Sequence, residues 1–250
     1  MDWRQLPVTA AVMSSANTIE FPGSSQIPRL TARGCQIARL AAQELAKGIE
    51  ARDPSLWQEL QVHEEELDSL DRQINEEVTV AVARGSGSQA RELLACLKFI
   101  IELERIGDLL LNVANRLQLV AARLQPQDTK DLSRMAAIVA AMLGNVDEAF
   151  ASRDVGKALE VLKADAELDR LRNLIFVRHI ENPDKVPRQE SFHVVFMCQS
   201  LERSGDHTKN LAEEICHLVS GRSVRHILRE QDRPDEQVYL DRMRKDKSRL

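Results

Sequence analysis

The sequence predicts an all-α protein of two tandem, pseudo-repeated three-helix bundles, six long antiparallel helices in all. Three observations predict it. The segment LERIGDLLLNVA at residues 103–114 returns as LERSGDHTKNLA at residues 201–212, an offset of 98. Repetition at a fixed offset marks a duplicated supersecondary unit. Hydrophobic residues make up 43% of the chain but aromatics only 4%, a balance that suits packed helices better than sheets. The eight prolines, at 7, 22, 28, 54, 126, 183, 187 and 234, leave long proline-free stretches. Proline breaks helix interiors but is welcome in a first turn, so these positions mark ends and starts.

Punctuation places each helix in order. The first spans 28–52 and opens at Pro28. Asp53-Pro54 reads as an N-cap with a first-turn proline, opening a second helix over 54–84. Gly85-Ser-Gly-Ser88 is a tight break, after which a third helix runs 88–124, a rod of about 55 Å. The halves join between Gln125 and Asp128. A fourth helix covers 128–153 and a fifth 155–181. The sixth follows the Asn182–Pro187 connection, covers 187–220 and stops at Gly221. Short connections make sequential helices antiparallel neighbours. The domain plan is 1–27 as a flexible N-terminal segment, 28–125 as the first bundle, 126–221 as the second, and 222–250 as a flexible or peripheral tail.

Composition excludes several functions. A net charge of −5 argues against nucleic acid, whose phosphates call for a basic surface. Cys35, Cys96, Cys198 and Cys216 show no C-x-x-C spacing, so buried, reduced thiols are expected rather than a zinc or redox motif. No run of 18 uncharged apolar residues is present; the strongest candidate, LLACLKFIIELE, carries Lys98 and two acids. No signal peptide is expected. The chain reads as a cytoplasmic protein that does not span a membrane. Two E-x-x-H strings, Glu190 to His193 and Glu214 to His217, hint at a di-metal oxidase. Both fall on one helix about 36 Å apart and cannot converge, so these histidines are structural or exposed. No nucleophile, phosphate-binding or metalloprotease motif occurs, and no residue set suggests turnover.

The repeat carries acids. Glu64 and Asp68 on the second helix match Asp165 and Asp169 on the fifth, at an offset of 101; Glu104 and Asp108 on the third match Glu202 and Asp206 on the sixth. Each pair is spaced i, i+4 and stacks on one helix face. Level residues in an antiparallel hairpin have numbers with a constant sum. Glu64 with Asp108 and Asp68 with Glu104 both total 172, centring the turn on 86; the second set totals 371 twice, centring it on 185.5. Both centres fall in the breaks assigned from Gly and Pro. At about 100° per residue, Phe99, Leu103, Ile106, Leu110, Val113 and Leu117 gather opposite Glu104, Asp108, Asn112 and Asn115. Met197, Leu201, Leu211 and Ile215 likewise oppose Glu202, Asp206, Asn210 and Glu213. The acids therefore belong to an outer groove of each bundle. Four level carboxylates repel unless neutralised, and a divalent or trivalent cation does so; Mg, Mn, Fe, Ca and Zn all satisfy the ligand type. A solvated acidic face, or ion pairs to Arg105 and Arg203, are the competing readings. Gly107 and Gly205, each mid-helix between two acids, cost about 1 kcal/mol relative to Ala and point to a close approach there.

The doubled E-R-x-G-D-x-x-x-N helices, Glu104 to Asn112 and Glu202 to Asn210, with the matching upstream acids, resemble the PhoU family of phosphate-uptake regulators. The resemblance covers residues 30 to 221. It implies that Glu104/Asp108 and Glu202/Asp206 bind multinuclear metal clusters, iron or zinc among them, with Glu64, Asp68, Asp165 and Asp169 as companion acids. It also implies a non-enzymatic cytoplasmic adaptor, often a homodimer, that negatively regulates phosphate uptake and phosphate-starvation signalling. The implied partners are the ATPase of a phosphate ABC transporter and a membrane sensor histidine kinase. Glu64 stands where the family more commonly has Asp, and residues 1–27 depart from its usual start. A structural helical interaction module and an accessory of another phosphate transporter are the alternatives.

Overall fold

The computed structural model describes residues 26–83, 90–181 and 188–220. They form six long helices: α1 (Ile27–Ala51), α2 (Leu56–Ala83), α3 (Ala90–Val120), α4 (Pro126–Ser152), α5 (Val155–Phe176) and α6 (Arg188–Ser220), with no strand among the described residues. The expected breaks at 85–88, 182–187 and 221, and most of the two terminal segments, lie outside them.

Helix ends differ from expectation for local reasons. Asp53 caps a turn before α2: its Oδ1 accepts from the Ser55 backbone N–H at 2.8 Å and the Ser55 hydroxyl at 2.7 Å, so α2 begins at Leu56. Helix α3 has 31 residues, a rod of about 46 Å, and tightens into a 3-10 turn at Ala121–Arg123. Pro126 occupies the first turn of α4, where its missing N–H is no loss. The last turn of α5 widens into a π turn at Val177–Glu181. Helices α1 and α4 end alike, on an arginine in the left-handed region: Arg52 at φ 54° and Arg153 at φ 56°. Each is followed by an aspartate whose N–H donates back, Asp53 to Gly48 O and Asp154 to Ala149 O. The duplication thus extends to the corners.

Within each half every helix packs on the other two, and the halves fuse along α1–α4 and α3–α6, with α2 and α5 outermost. One continuous core results. The apolar stripes expected on α3 and α6 are fully buried in it, and Phe99 meets Phe150 across the halves at 4.7 Å, within the range of a favourable aromatic pair. The longest weakly charged apolar segment is α4, rather than the α3 run expected. By length and composition α4 could cross a membrane, but its apolar character follows from packing on α1, α5 and α6. All four cysteines are buried and none forms a disulfide among the described residues. Desolvation raises every thiol, Cys96 to about 11 and Cys198 and Cys216 to about 12, which disfavours the reactive thiolate.

A buried polar network closes one end of the second bundle. Asp128, in the first turn of α4, accepts from Arg178 and pairs with His179 Nε2 at 3.0 Å. Arg178 also reaches Asp131 at 2.5 Å, and His179 Nδ1 lies 3.0 Å from Ser191 Oγ at the start of α6. Burial pushes the Asp128 carboxyl up, but His179 and Arg178 outweigh it and hold it below the ordinary range. Removing a buried partner strands the rest, so Asp128→Ala is expected to destabilise by about 3–5 kcal/mol in denaturant unfolding. Because the folded pKa is depressed, the contribution of Asp128 is complete above the normal carboxylate pKa and lost as pH falls through the folded value. Asp128→Asn should flatten that acid limb.

Candidate functional site

The acid grooves are built by a leucine and a glycine. Leu67 lies between Glu64 and Asp68 on α2, and Gly107 between Glu104 and Asp108 on α3. A methyl group at Gly107 would stand 2.7 Å from Leu67 Cδ1 and 3.9 Å from the Cα of Glu64. At Gly205 the overlap with Leu168 Cδ2 would be closer still. Both leucines are wholly buried. The duplicated glycine is therefore a notch for a leucine knob, and seating the knob puts the flanking acids of both helices at one height, as the constant sums require.

In the first groove the carboxylates feel one another. Burial raises Glu64, and the charges of Asp68, Asp108, Glu65 and Glu104 raise it further. Burial, then Asp108, Asp68 and Asp71, raise Glu104 against a small opposing effect of Arg105. Burial and then Asp68 raise Asp108. The nearest ion pair is Arg72 to Asp68 at 4.0 Å, with Arg72 69% exposed, too loose to neutralise the set.

The second groove is different. Arg172 contacts Glu202 at 2.5 Å and Asp169 at 3.4 Å, and Lys209 pairs with Asp165. Burial still carries Glu202 and Asp169 above their normal range, helped by Asp206 and opposed by Arg172. Burial would lower Lys209, but Asp165, Asp206 and Asp169 hold it raised. The expected competitors, Arg105 and Arg203, are exposed, and no ion pair joins them to the acids among the described residues. The cations that matter were missed by sequence reasoning. Their signal is in the repeat alignment: Arg172 stands at the position of Asp71, and Lys209 at that of Leu111.

All eight predicted acids thus lie in two equivalent grooves. Among the described residues, no three His, Cys, Asp or Glu side chains converge closely enough to hold an ion; the carboxylates share a field rather than a finished cage. In donor type and charge the first groove fits a hard cation, offering only carboxylate oxygens with their charge unneutralised. The second fits poorly, because its oxygens already accept from Arg172 and Lys209. Of the E-x-x-H histidines, His193 and His217 are partly buried, and the latter lies 3.5 Å from Glu214.

Fold and site together define a class: a tandem three-helix protein whose outer helix pairs carry matching acidic grooves. The PhoU domain matches twice, over residues 32–117 and 132–215. The "Phosphate-specific transport system accessory protein PhoU homolog" of Rhizobium meliloti is 30% identical over 204 residues, 78% of this chain and 86% of that one. The protein of the same name from Pseudomonas aeruginosa is 33% identical over 183 residues, 70% and 74% of the two chains. The chain belongs to the PhoU family, whose members are accessory proteins and not enzymes. Crystal structures of PhoU from Pseudomonas aeruginosa (TM-score 0.72, 24% identity, 79% of this chain and 97% of that one) and of the phosphate transport system regulatory protein PhoU from Streptococcus pneumoniae (0.69, 17%, 80% and 96%) share the fold.

The knob and notch make a testable pair. Filling the notch costs about 1–3 kcal/mol of overpacking, offset by about 1 kcal/mol of helix propensity. Gly205→Ala should therefore destabilise modestly, and more than Gly107→Ala. Combined with Leu168→Ala it should cost less than the sum of the two single changes, a coupling readable in a double-mutant cycle.

Proposed function

We propose that the protein is a metal-binding cytoplasmic adaptor that restrains phosphate uptake and phosphate-starvation signalling. It acts on the ATPase of a phosphate ABC transporter and on a membrane sensor histidine kinase, as a homodimer. The observation that carries this reading is the first groove, Glu64 and Asp68 facing Glu104 and Asp108, in a chain of two PhoU domains. Three of those carboxylates are raised by burial and mutual repulsion, a state that a cation relieves. The names of the relatives support the phosphate system as its setting.

Glu64, Asp68, Glu104 and Asp108 would hold the ion. Bound there, a cation supplies the missing positive charge and a strut between α2 and α3. Iron or zinc are the ions the resemblance suggests; Mg, Mn and Ca match the donors equally. The rest of the work falls to the scaffold, whose long helices present extended surfaces to partners.

A second reading, a helical interaction module that needs no metal, is favoured by one observation: the ion pairs of Arg172 and Lys209 in the second groove. Elemental analysis of protein purified without added metal separates the two. Chelation should lower the melting temperature of the wild type: a ligand at 100 times its Kd contributes about 2.7 kcal/mol, or roughly 5–10 °C for a domain of this size. Glu104→Gln with Asp108→Asn should abolish that shift. Pull-down from cells grown at high phosphate should enrich the transporter ATPase or the kinase over cells grown at low phosphate; equal recovery under both conditions, or recovery of neither protein, would sink the adaptor role.

A further inference from the structure

We propose that the two grooves have diverged: the second carries its own cations, Arg172 and Lys209, in place of a bound ion, leaving the chain with a metal centre in the first repeat alone. This inference rests on the reading of the first groove as a cation site.

The argument begins with placement. Arg172 lies three residues beyond Asp169 on α5, and Lys209 three beyond Asp206 on α6. Three residues return a helix to nearly the same face. Since Asp169 is level with Glu202, and Asp165 with Asp206, one cation caps each end of the quartet. Arg172 spans Glu202 (2.5 Å) and Asp169 (3.4 Å), Lys209 binds Asp165, and only Asp206 has no direct bond to either. The side chains of Glu202 and Asp165 are 16% and 15% exposed, those of Arg172 and Lys209 33% and 30%, and that of Asp169 48%.

The first groove has the opposite ends. Asp71 stands at the Arg172 position and adds a fifth carboxylate, while Leu111 stands at the Lys209 position and adds no charge. Two residues before Lys209, His207 replaces Leu109 and lies 2.5 Å from Glu102 on α3 of the first repeat. A guanidinium stays charged throughout the physiological range and has no acceptor. It therefore competes with a metal ion for the same carboxylate oxygens and cannot act as a ligand itself. A metal entering the second groove must displace both fixed cations; one entering the first meets only the loose, exposed Arg72–Asp68 pair.

The consequence is polarised metal dependence. Loss of metal should loosen α2 against α3 and leave α5 against α6 braced by the ionic clasp.

The test uses full-length protein titrated with Zn2+ or Fe2+, metal content read by elemental analysis and helix protection by hydrogen exchange. Four proteins are compared: wild type, E104Q/D108N, E202Q/D206N and R172D/K209L, the last giving the second groove the residues of the first. Wild type should lose all its metal in E104Q/D108N and none in E202Q/D206N. R172D/K209L should bind about twice as much metal as wild type, and chelation of wild type should raise exchange in α2–α3 only. If E202Q/D206N loses about half of the wild-type metal, the divergence is overturned while the first-groove reading stands. If wild type binds no metal but R172D/K209L does, the first-groove reading falls and the role of the two cations is upheld. Absence of metal from both overturns both. Should R172D/K209L fail to fold, R172Q/K209Q replaces it: a gain of metal supports the proposal and no gain opposes it.

Discussion

The contact on which the rest depends is a leucine side chain seated over a glycine. Leu67 on Gly107 and Leu168 on Gly205 set how closely each outer helix approaches its inner neighbour. Each leucine is flanked by two acids on its own helix and each glycine by two on the other, so a single insertion brings four carboxylates to one height. Burying a leucine is worth about 1.5–3 kcal/mol, and that apolar gain holds together acids which would otherwise drive the helices apart. The groove is thus a by-product of good core packing, which is why its chemistry is free to differ between the halves while its shape is kept.

Most of the fold was legible because its signals are local. Pro28 and Pro126 open helices whatever surrounds them, and the 100° turn per residue divides Phe99 and Leu103 from Glu104 and Asp108 without reference to a partner. The constant-sum argument turned two local facts, turn position and spacing, into a tertiary one. Helix ends set by tertiary demands were less legible. The π turn at Val177–Glu181 places His179 among Asp128 and Ser191, which come from two other helices. Arg52 and Arg153 adopt a left-handed conformation that is costly for a side-chain-bearing residue, where glycine would have been the signal.

What neutralises the acids was misjudged for a geometric reason. Arg105 and Arg203 adjoin Glu104 and Glu202 in sequence, but one residue along a helix is a rotation of about 100°, which carries them off the groove into solvent. Arg172 and Lys209 are three residues from an acid and so share its face. Adjacency in sequence drew the eye to the wrong arginines; adjacency on the helix identifies the right ones. Comparing the two repeats for changes of charge, rather than for identities, would have exposed both.

The same comparison shows that the second half has inverted charge at two positions six residues apart. Arg172 on α5 and Arg178 in the π turn that follows it stand where α2 has Asp71 and Glu77. Arg172 closes the groove, and Arg178 joins α5 to the first turn of α4 through Asp128 and Asp131. Both arginines are spent on carboxylates of their own bundle, one above the groove and one at its end. Helix α5 is consequently tied to α4 and α6 by ion pairs at two heights, whereas α2 pairs with α1 through Glu66–Arg33 and His63–Glu44 but meets α3 through its leucine knob and a set of acids that repel. A duplicated scaffold has thus kept one packing contact, the leucine over its glycine, beneath two different arrangements of charge: ion pairs across the α5–α6 groove and repelling acids across the α2–α3 groove.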